Sequence, residues 1–440
     1  MGLAGKASRV GQINDHGQKY RRDVGTVGVV FLVVNGLIGS GIFALPELLH
    51  EALGTFAPWL MLAGAVLIAS VFFCFADLSR LTERSGGPQR FVTDAFGRFP
   101  GFQVGWLFYF GRMVAHAANV TVLIAYVAAF WPTIGAGVPR SCAIIFIIAL
   151  VTVLNVVGIK RAVSVLGVLT LFKLVPLVLL VGLALLANPT IAPVSLPQFS
   201  AVEGVALAAL YAFVGVENAT IPAGEMTDPR KSVPRALLIS LALVAFIYFG
   251  LQFAYSNSPI AGTGSEAPLA ALAGYYAGNI GSLLIAATVI VSVLGNSVAG
   301  HTTASRMTAA LSDDRLIPSW FGRVSRWGTP PNSIVLFGLG ALLFALSGTF
   351  VALAISGTLA RLIVYIASIG ALPRLRRLAG LKAFTLPLGV AALIALSLCI
   401  WASFQSSREQ WTLIAAFLGA GTMLFFLAQY SPASAPDQET

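Results

Sequence analysis

Apolar runs of twenty or more residues recur from about residue 26 to residue 429, and they decide what this chain can fold into. A helix of that length is what crosses ~30 Å of hydrocarbon, where every backbone N–H and C=O must find its partner inside the segment. Only 10% of the 440 residues are charged and 57% are hydrophobic. A water-soluble fold carries roughly 25% charged residues and could not clothe its surface with so few. The fold class expected is an all-α integral membrane protein of twelve spans. They lie near residues 26–48, 57–81, 103–130, 141–157, 163–186, 202–225, 236–256, 279–306, 333–347, 350–372, 384–403 and 411–429. One apolar stretch is too long for a single span, and Ser347-Gly348 is the turn signal that divides it.

The net charge of +10 is a topology signal. With twelve spans, one face collects the N-terminal Lys6, Arg9, Lys19, Arg21 and Arg22, then Arg80, Arg84, Arg90 and Arg98, then Lys160 and Arg161. The same face takes Arg230, Lys231 and Arg235, four arginines between residues 306 and 326, and Arg374, Arg376, Arg377 and Lys382. The opposite face holds Arg140 and Arg408. Both termini are therefore expected in the cytoplasm and the chain in the cytoplasmic membrane. The bilayer is the partner of this charge and nucleic acid is not. Cys74, Cys142 and Cys399 sit in or beside apolar runs and suggest no disulfide framework, no metal site and no cofactor. The expected organisation is a cytoplasmic segment 1–23, a membrane domain 24–430 and a cytoplasmic tail 431–440. Oligomeric state is not legible.

Two spans are interrupted at matching places. The first reads Asn35-Gly36-Leu37-Ile38-Gly39-Ser40-Gly41-Ile42-Phe43, and the sixth reads Tyr211-Ala212-Phe213-Val214-Gly215-Val216-Glu217-Asn218. The interruptions lie five spans apart, which suggests two repeats, about 24–187 and 201–372, with two further helices in 384–430. An unwound segment frees backbone groups that lipid cannot satisfy, so it belongs around a polar cavity or ligand. After Gly41 a second half-helix begins, and its dipole end with the Ser40 hydroxyl suits a carboxylate. The sixth span's first half ends near residues 211–214, leaving carbonyls that suit an ammonium. Donors on one wall and acceptors on the other fit a zwitterionic α-amino acid. The expected substrate-binding residues are Leu37, Ile38, Gly39, Ser40, Gly41, Ile42, Tyr211, Phe213, Val214, Gly215 and Val216.

These strings resemble the amino acid–polyamine–organocation superfamily of transporters. The resemblance rests on Gly-Leu-Ile-Gly-Ser-Gly-Ile-Phe in span one and Phe-Val-Gly-Val-Glu in span six. It rests also on the run from Asp228-Pro229-Arg230-Lys231 to Ala236, on Ser85-Gly86-Gly87, and on Ser305-Arg306 with Leu311-Ser312-Asp313-Asp314. It covers spans one to ten and implies the LeuT-type 5+5 inverted repeat and alternating access. It further implies that Ser40 and Gly41 hold the carboxylate, that the carbonyls of Leu37, Tyr211 and Val214 hold the ammonium, and that Tyr211 and Phe213 gate the outer path. Gln89 stands where the family usually has an aromatic. Gly300 stands near the place where exchangers of arginine and polyamines carry a tryptophan, which argues against a long cationic substrate.

Charges at mid-membrane are functional candidates by default. Glu217 is expected to be protonated or paired and to act in coupling or gating. Lys173 lies ten residues into span five, ~15 Å along it. By resemblance it takes the place of a sodium ion, its ammonium bridging spans one and eight, and it would exchange a proton during the cycle. Arg112 and His116 share a face of span three, with a structural polar contact expected for both; Arg361 has three expected roles, snorkelling, pairing with Glu217 or meeting an acidic substrate. No H-E-x-x-H pair and no base for Ser40 speaks for catalysis, and no charged ring marks a channel. The function expected is a permease, not an enzyme, taking up neutral L-amino acids with protons. The alternatives are an exchanger without proton coupling and a sensor that binds amino acids without moving them.

Overall fold

The computed structural model describes residues 25–81, 86–158, 163–187, 192–220 and 229–430. The expected N-terminal segment and tail, with Arg84, Ser85, Lys160, Arg161 and Asp228, lie outside the described residues. Fourteen α-helices are present among the described residues: α1 Thr26–Leu37, α2 Gly41–Leu53, α3 Ala57–Leu81, α4 Pro88–Phe96, α5 Arg98–Ala128, α6 Gly137–Val157, α7 Val163–Ala187, α8 Phe199–Tyr211, α9 Pro229–Ser256, α10 Pro268–Asp313, α11 Pro331–Ser347, α12 Phe350–Leu378, α13 Leu386–Phe404 and α14 Arg408–Tyr430. Ten stretches are long and apolar enough to cross a membrane, and Thr26–Leu37 and Pro331–Ser347 are shorter apolar helices.

Each expected span overlaps helix among the described residues, and the deviations have local causes. Span one is two helices with residues 38–40 between them, and span six stops being α-helix at Tyr211 rather than running to residue 225. Residues 221–228 lie outside the described residues. The turn at residues 348–349 separates α11 from α12, and the Thr349 hydroxyl caps α12 by accepting from the N–H of Ala352. Helix α10 starts eleven residues before the expected 279, because Gly278, at φ 61°, bends an outer helical turn onto the span. Helix α4 was not expected. It buries Phe91, Val92 and Ala95 and leaves its polar side open, too short and too charged for a hydropathy signal.

Helix α5 is the central post, buried over nearly its whole length, and it packs against α10, α11 and α12. Helices α3 and α9 form the other large contact, with α1 laid against α9 and α7. Helices α6, α7 and α14 instead expose Leu, Val, Ile and Phe outward, the surface that lipid covers. At the face rich in basic residues Arg376 meets Asp77 at 2.6 Å and Arg98 donates to the carbonyl of Asp314. At the other end Glu47 on α2 accepts from the Tyr255 hydroxyl and from the N–H groups of Gly262 and Gly264, tying the α9–α10 loop to the upper half of span one.

The centre of the two broken helices

Three glycines set the backbone of the breaks. Gly215 adopts φ +136°, open to glycine at little cost. A Cβ on Gly36 would lie 2.6 Å from the Asn218 amide, so the span-one break and the span-six turn are in direct contact through a missing side chain. A Cβ on Gly41 would meet the Tyr211 ring at 3.2 Å and the Ala212 Cα at 3.3 Å, which leaves the start of α2 pressed onto the end of α8. The Ser40 and Tyr211 hydroxyls are hydrogen-bonded at 3.0 Å across this seam.

The expected donors and acceptors are partly free and partly used. Among the described residues the N–H groups of Gly41 and Ile42 have no hydrogen bond, nor do the carbonyls of Tyr211 and Val214. They are the first donors of α2 and acceptors at and just beyond the end of α8. Ser40 differs from expectation, since its N–H donates to Asn119 Oδ1 at 3.2 Å. Leu37 differs also: its carbonyl already accepts from the Tyr248 hydroxyl at 3.0 Å and from the N–H of Gly39 at 3.0 Å. Phe213 packs against Tyr248 and beneath Gly64, and Tyr211 stands edge-on to Phe350. Val216 opens the one-turn 3-10 segment Val216–Ala219 that follows Gly215.

Lys173 is fully buried, with its ammonium donating to the Asn35 side chain and, at 3.3 Å, to the carbonyl of Ile38. Both partners belong to span one. The expected direct bridge to span eight is absent among the described residues; span eight instead reaches backbone carbonyls of the same two residues, through Asn296 on Asn35 at 2.9 Å and Ser292 on Ile38 at 3.4 Å. Asn119 completes the ring by donating to Asn296 at 3.1 Å. Asn119, Asn296, Ser292 and Lys173 thus satisfy the Ser40 N–H and the carbonyls of Asn35 and Ile38, while the N–H groups of Gly41 and Ile42 stay open. Sequence reasoning missed Asn35, Asn119 and Asn296; their signal was a polar amide in an apolar run on each of three spans.

Glu217 is paired. Arg361 on α12 donates to Oε1 at 3.2 Å, the Tyr365 hydroxyl donates to Oε2 at 2.5 Å, and Tyr365 in turn accepts from the N–H of Gly215 at 3.0 Å. The carboxylate is completely buried, so the pair replaces hydration that the fold removed. Of the three roles expected for Arg361, pairing is the one observed. Arg112 and His116 correct an expectation. Neither ring nitrogen of His116 and not the Nε of Arg112 has a partner among the described residues; His116 packs on His301 and Phe337 instead. A cavity of about 260 Å³ lies between α5, α11, α12 and α14, lined by Val114, Phe344, Ser356 and Glu409, and it holds none of the broken-helix residues. The chemistry of the centre is therefore the better guide to a site than the size of a void.

Residues 24–426 match the family model described as amino acid permease. The chain is 26% identical over 338 residues to the cadaverine/lysine antiporter of Escherichia coli strain K12, covering 72% of each protein. It is 26% identical over 385 residues to an uncharacterized transporter of Mycobacterium bovis, covering 78% of each. It is 25% identical over 398 residues to the polyamine transporter PUT1 of Oryza sativa subsp. japonica, covering 85% of this chain and 71% of that protein. The chain belongs to the amino acid permease family, within the amino acid–polyamine–organocation superfamily: a multi-pass membrane transporter of the LeuT-like fold and not an enzyme.

Proposed function

We propose that this permease carries amino acids without a cationic side chain across the cytoplasmic membrane by alternating access. Repeats 24–187 and 201–372 would rock about the broken helices, with both termini in the cytoplasm. The observation that carries the substrate reading is the pairing of unused donors at Gly41 and Ile42 with unused acceptors at Tyr211 and Val214 across the Ser40–Tyr211 contact. A carboxylate entering there would take the α2 dipole end and the Ser40 hydroxyl, and an ammonium would take the carbonyls. The Ser40–Tyr211 hydrogen bond would open to admit it. The Asn119 amide holds the Ser40 N–H, so Gly41 and Ile42 are the backbone donors left for substrate.

Charge argues against a cationic side chain. Arg112, Arg361 and Lys173 are buried in the middle of their helices against one buried carboxylate there, Glu217. Like charges repel strongly where the dielectric is low. The neutral L-amino acids expected from the sequence respect that repulsion, and lysine, cadaverine and polyamines would not. Proton coupling is proposed through Lys173, whose Asn35 and Ile38 contacts would change as span one rocks. Exchange is the second reading, favoured by the antiporter among the relatives.

A thermal-shift screen of the purified protein with the common L-amino acids and with cadaverine and spermidine tests the substrate reading. A ligand that binds only the folded protein at a hundredfold its Kd stabilises it by about 2.7 kcal/mol. Stabilisation is expected from α-amino acids with neutral or acidic side chains and not from lysine, arginine, cadaverine or spermidine. Stabilisation by cadaverine or spermidine with none from any α-amino acid would contradict it.

A further inference from the structure

The cations of the centre are unequally matched. Arg361 has Glu217, and Lys173 has the Asn35 amide and the Ile38 carbonyl. Arg112 has neither an ion pair nor a hydrogen bond among the described residues, although it is only 8% exposed. Its guanidinium has a close neighbour. It lies against the bare Cα of Gly300 on α10, where a Cβ would come within 2.6 Å of Nη2 and 3.2 Å of Cζ. The preceding residue, Gly111, lies against Arg361, which holds Glu217 at the span-six break, so this stretch of α5 adjoins that break. The carboxyl of Glu217 is engaged on both oxygens and does not answer it.

A buried, unanswered guanidinium is costly, and a planar fork of donors fits a carboxylate by two parallel hydrogen bonds. We infer that Arg112, seated on Gly300, receives a second carboxylate carried on the substrate's side chain, so that acidic L-amino acids are the preferred cargo. The inference rests on the reading that the centre binds α-amino acids. The α-carboxylate takes the α2 end, and the side-chain carboxylate reaches from there towards α5 and α10. The excess of positive charge in the centre, three buried cations against Glu217, is then reduced by the net negative charge of the cargo. Gly300 is what makes room: any side chain there would occupy the guanidinium's seat.

Calorimetric titration of the full-length purified protein separates charge from shape by using isosteric pairs, glutamate with glutamine and aspartate with asparagine. The acid is expected to bind at least about tenfold more tightly than its amide, equivalent to 1.4 kcal/mol. Arg112→Gln should bring the ratio near one, Arg112→Lys should restore part of it, and Gly300→Ala, which evicts the guanidinium without touching its charge, should also lower it. Should Arg112→Gln fail to fold, Gly300→Ala and Arg112→Lys decide. Amides binding as tightly as acids in the unmodified protein, or a ratio untouched in the folded variants, would overturn the carboxylate receptor while leaving an amino acid carrier in place. Binding of no α-amino acid at all would overturn both.

Discussion

Glu217→Gln should cost on the order of 3 kcal/mol of stability, the low end of what removing one partner of a buried ion pair costs. The amide keeps an acceptor for Tyr365 but removes the negative charge that faces Arg361 across 3.2 Å, in a place with no exposure. It leaves Arg361 and Arg112 as uncompensated neighbours. Because Tyr365 also holds the N–H of Gly215, the loss should be felt in the geometry of the span-six break and so in substrate affinity. Denaturant unfolding of the detergent-solubilised protein measures the first effect. Pairing Glu217→Gln with Arg361→Gln should recover more than half of it, since the double variant removes both charges. A single variant as stable as the parent would mean that the pair contributes nothing. From sequence alone Glu217 is expected to be protonated or paired and to act in coupling or gating, with Glu217→Gln keeping the fold and altering the pH dependence of transport. The geometry adds that it anchors the break, so fold and transport should fail together.

Gly41→Val should abolish amino acid binding while the protein still inserts. The added Cβ would meet the Tyr211 ring and the Ala212 backbone at 3.2 and 3.3 Å, and a branched side chain has further atoms to place in the same gap. One of the two contacts is backbone and cannot swing aside, so α2 and α8 would be wedged apart where the substrate's two polar ends should be held together. Ser40→Ala should be milder, losing the one hydrogen bond that the hydroxyl would give the substrate carboxylate once its contact with Tyr211 has opened, worth about 1 kcal/mol or roughly fivefold in affinity. Titration of both variants with one stabilising amino acid gives the comparison. Parent-like affinity in Gly41→Val would remove the site from span one.

The spans were legible because their length is imposed by the bilayer, not by neighbours, which is why 57–81 is predicted to the residue as Ala57–Leu81. The breaks were legible because two glycine-containing interruptions fall at matching places five spans apart, one of them beside a carboxyl. Helix α4 was not, since its stability comes from burying Phe91 and Val92 in tertiary contacts with α3, α5 and the distant α12. The partnership of Arg361 with Glu217 spans 144 residues, and nothing local chose it over snorkelling. Asn35, Asn119 and Asn296 each looked like isolated polar residues until folding brought them around one unwound turn. The seat of Arg112 depends on an atom that Gly300 lacks, and no pattern along one strand of sequence carries that.

Uptake into proteoliposomes free of sodium and of internal amino acid, driven by an imposed pH gradient, tests carriage by this centre most directly. Proton-coupled transport through Lys173 predicts accumulation that follows the gradient, collapses with an uncoupler and is lost in Lys173→Ala. Uptake only when substrate is loaded inside would contradict the coupling in favour of exchange, and a strict sodium requirement would contradict the role given to the Lys173 ammonium at Asn35 and Ile38.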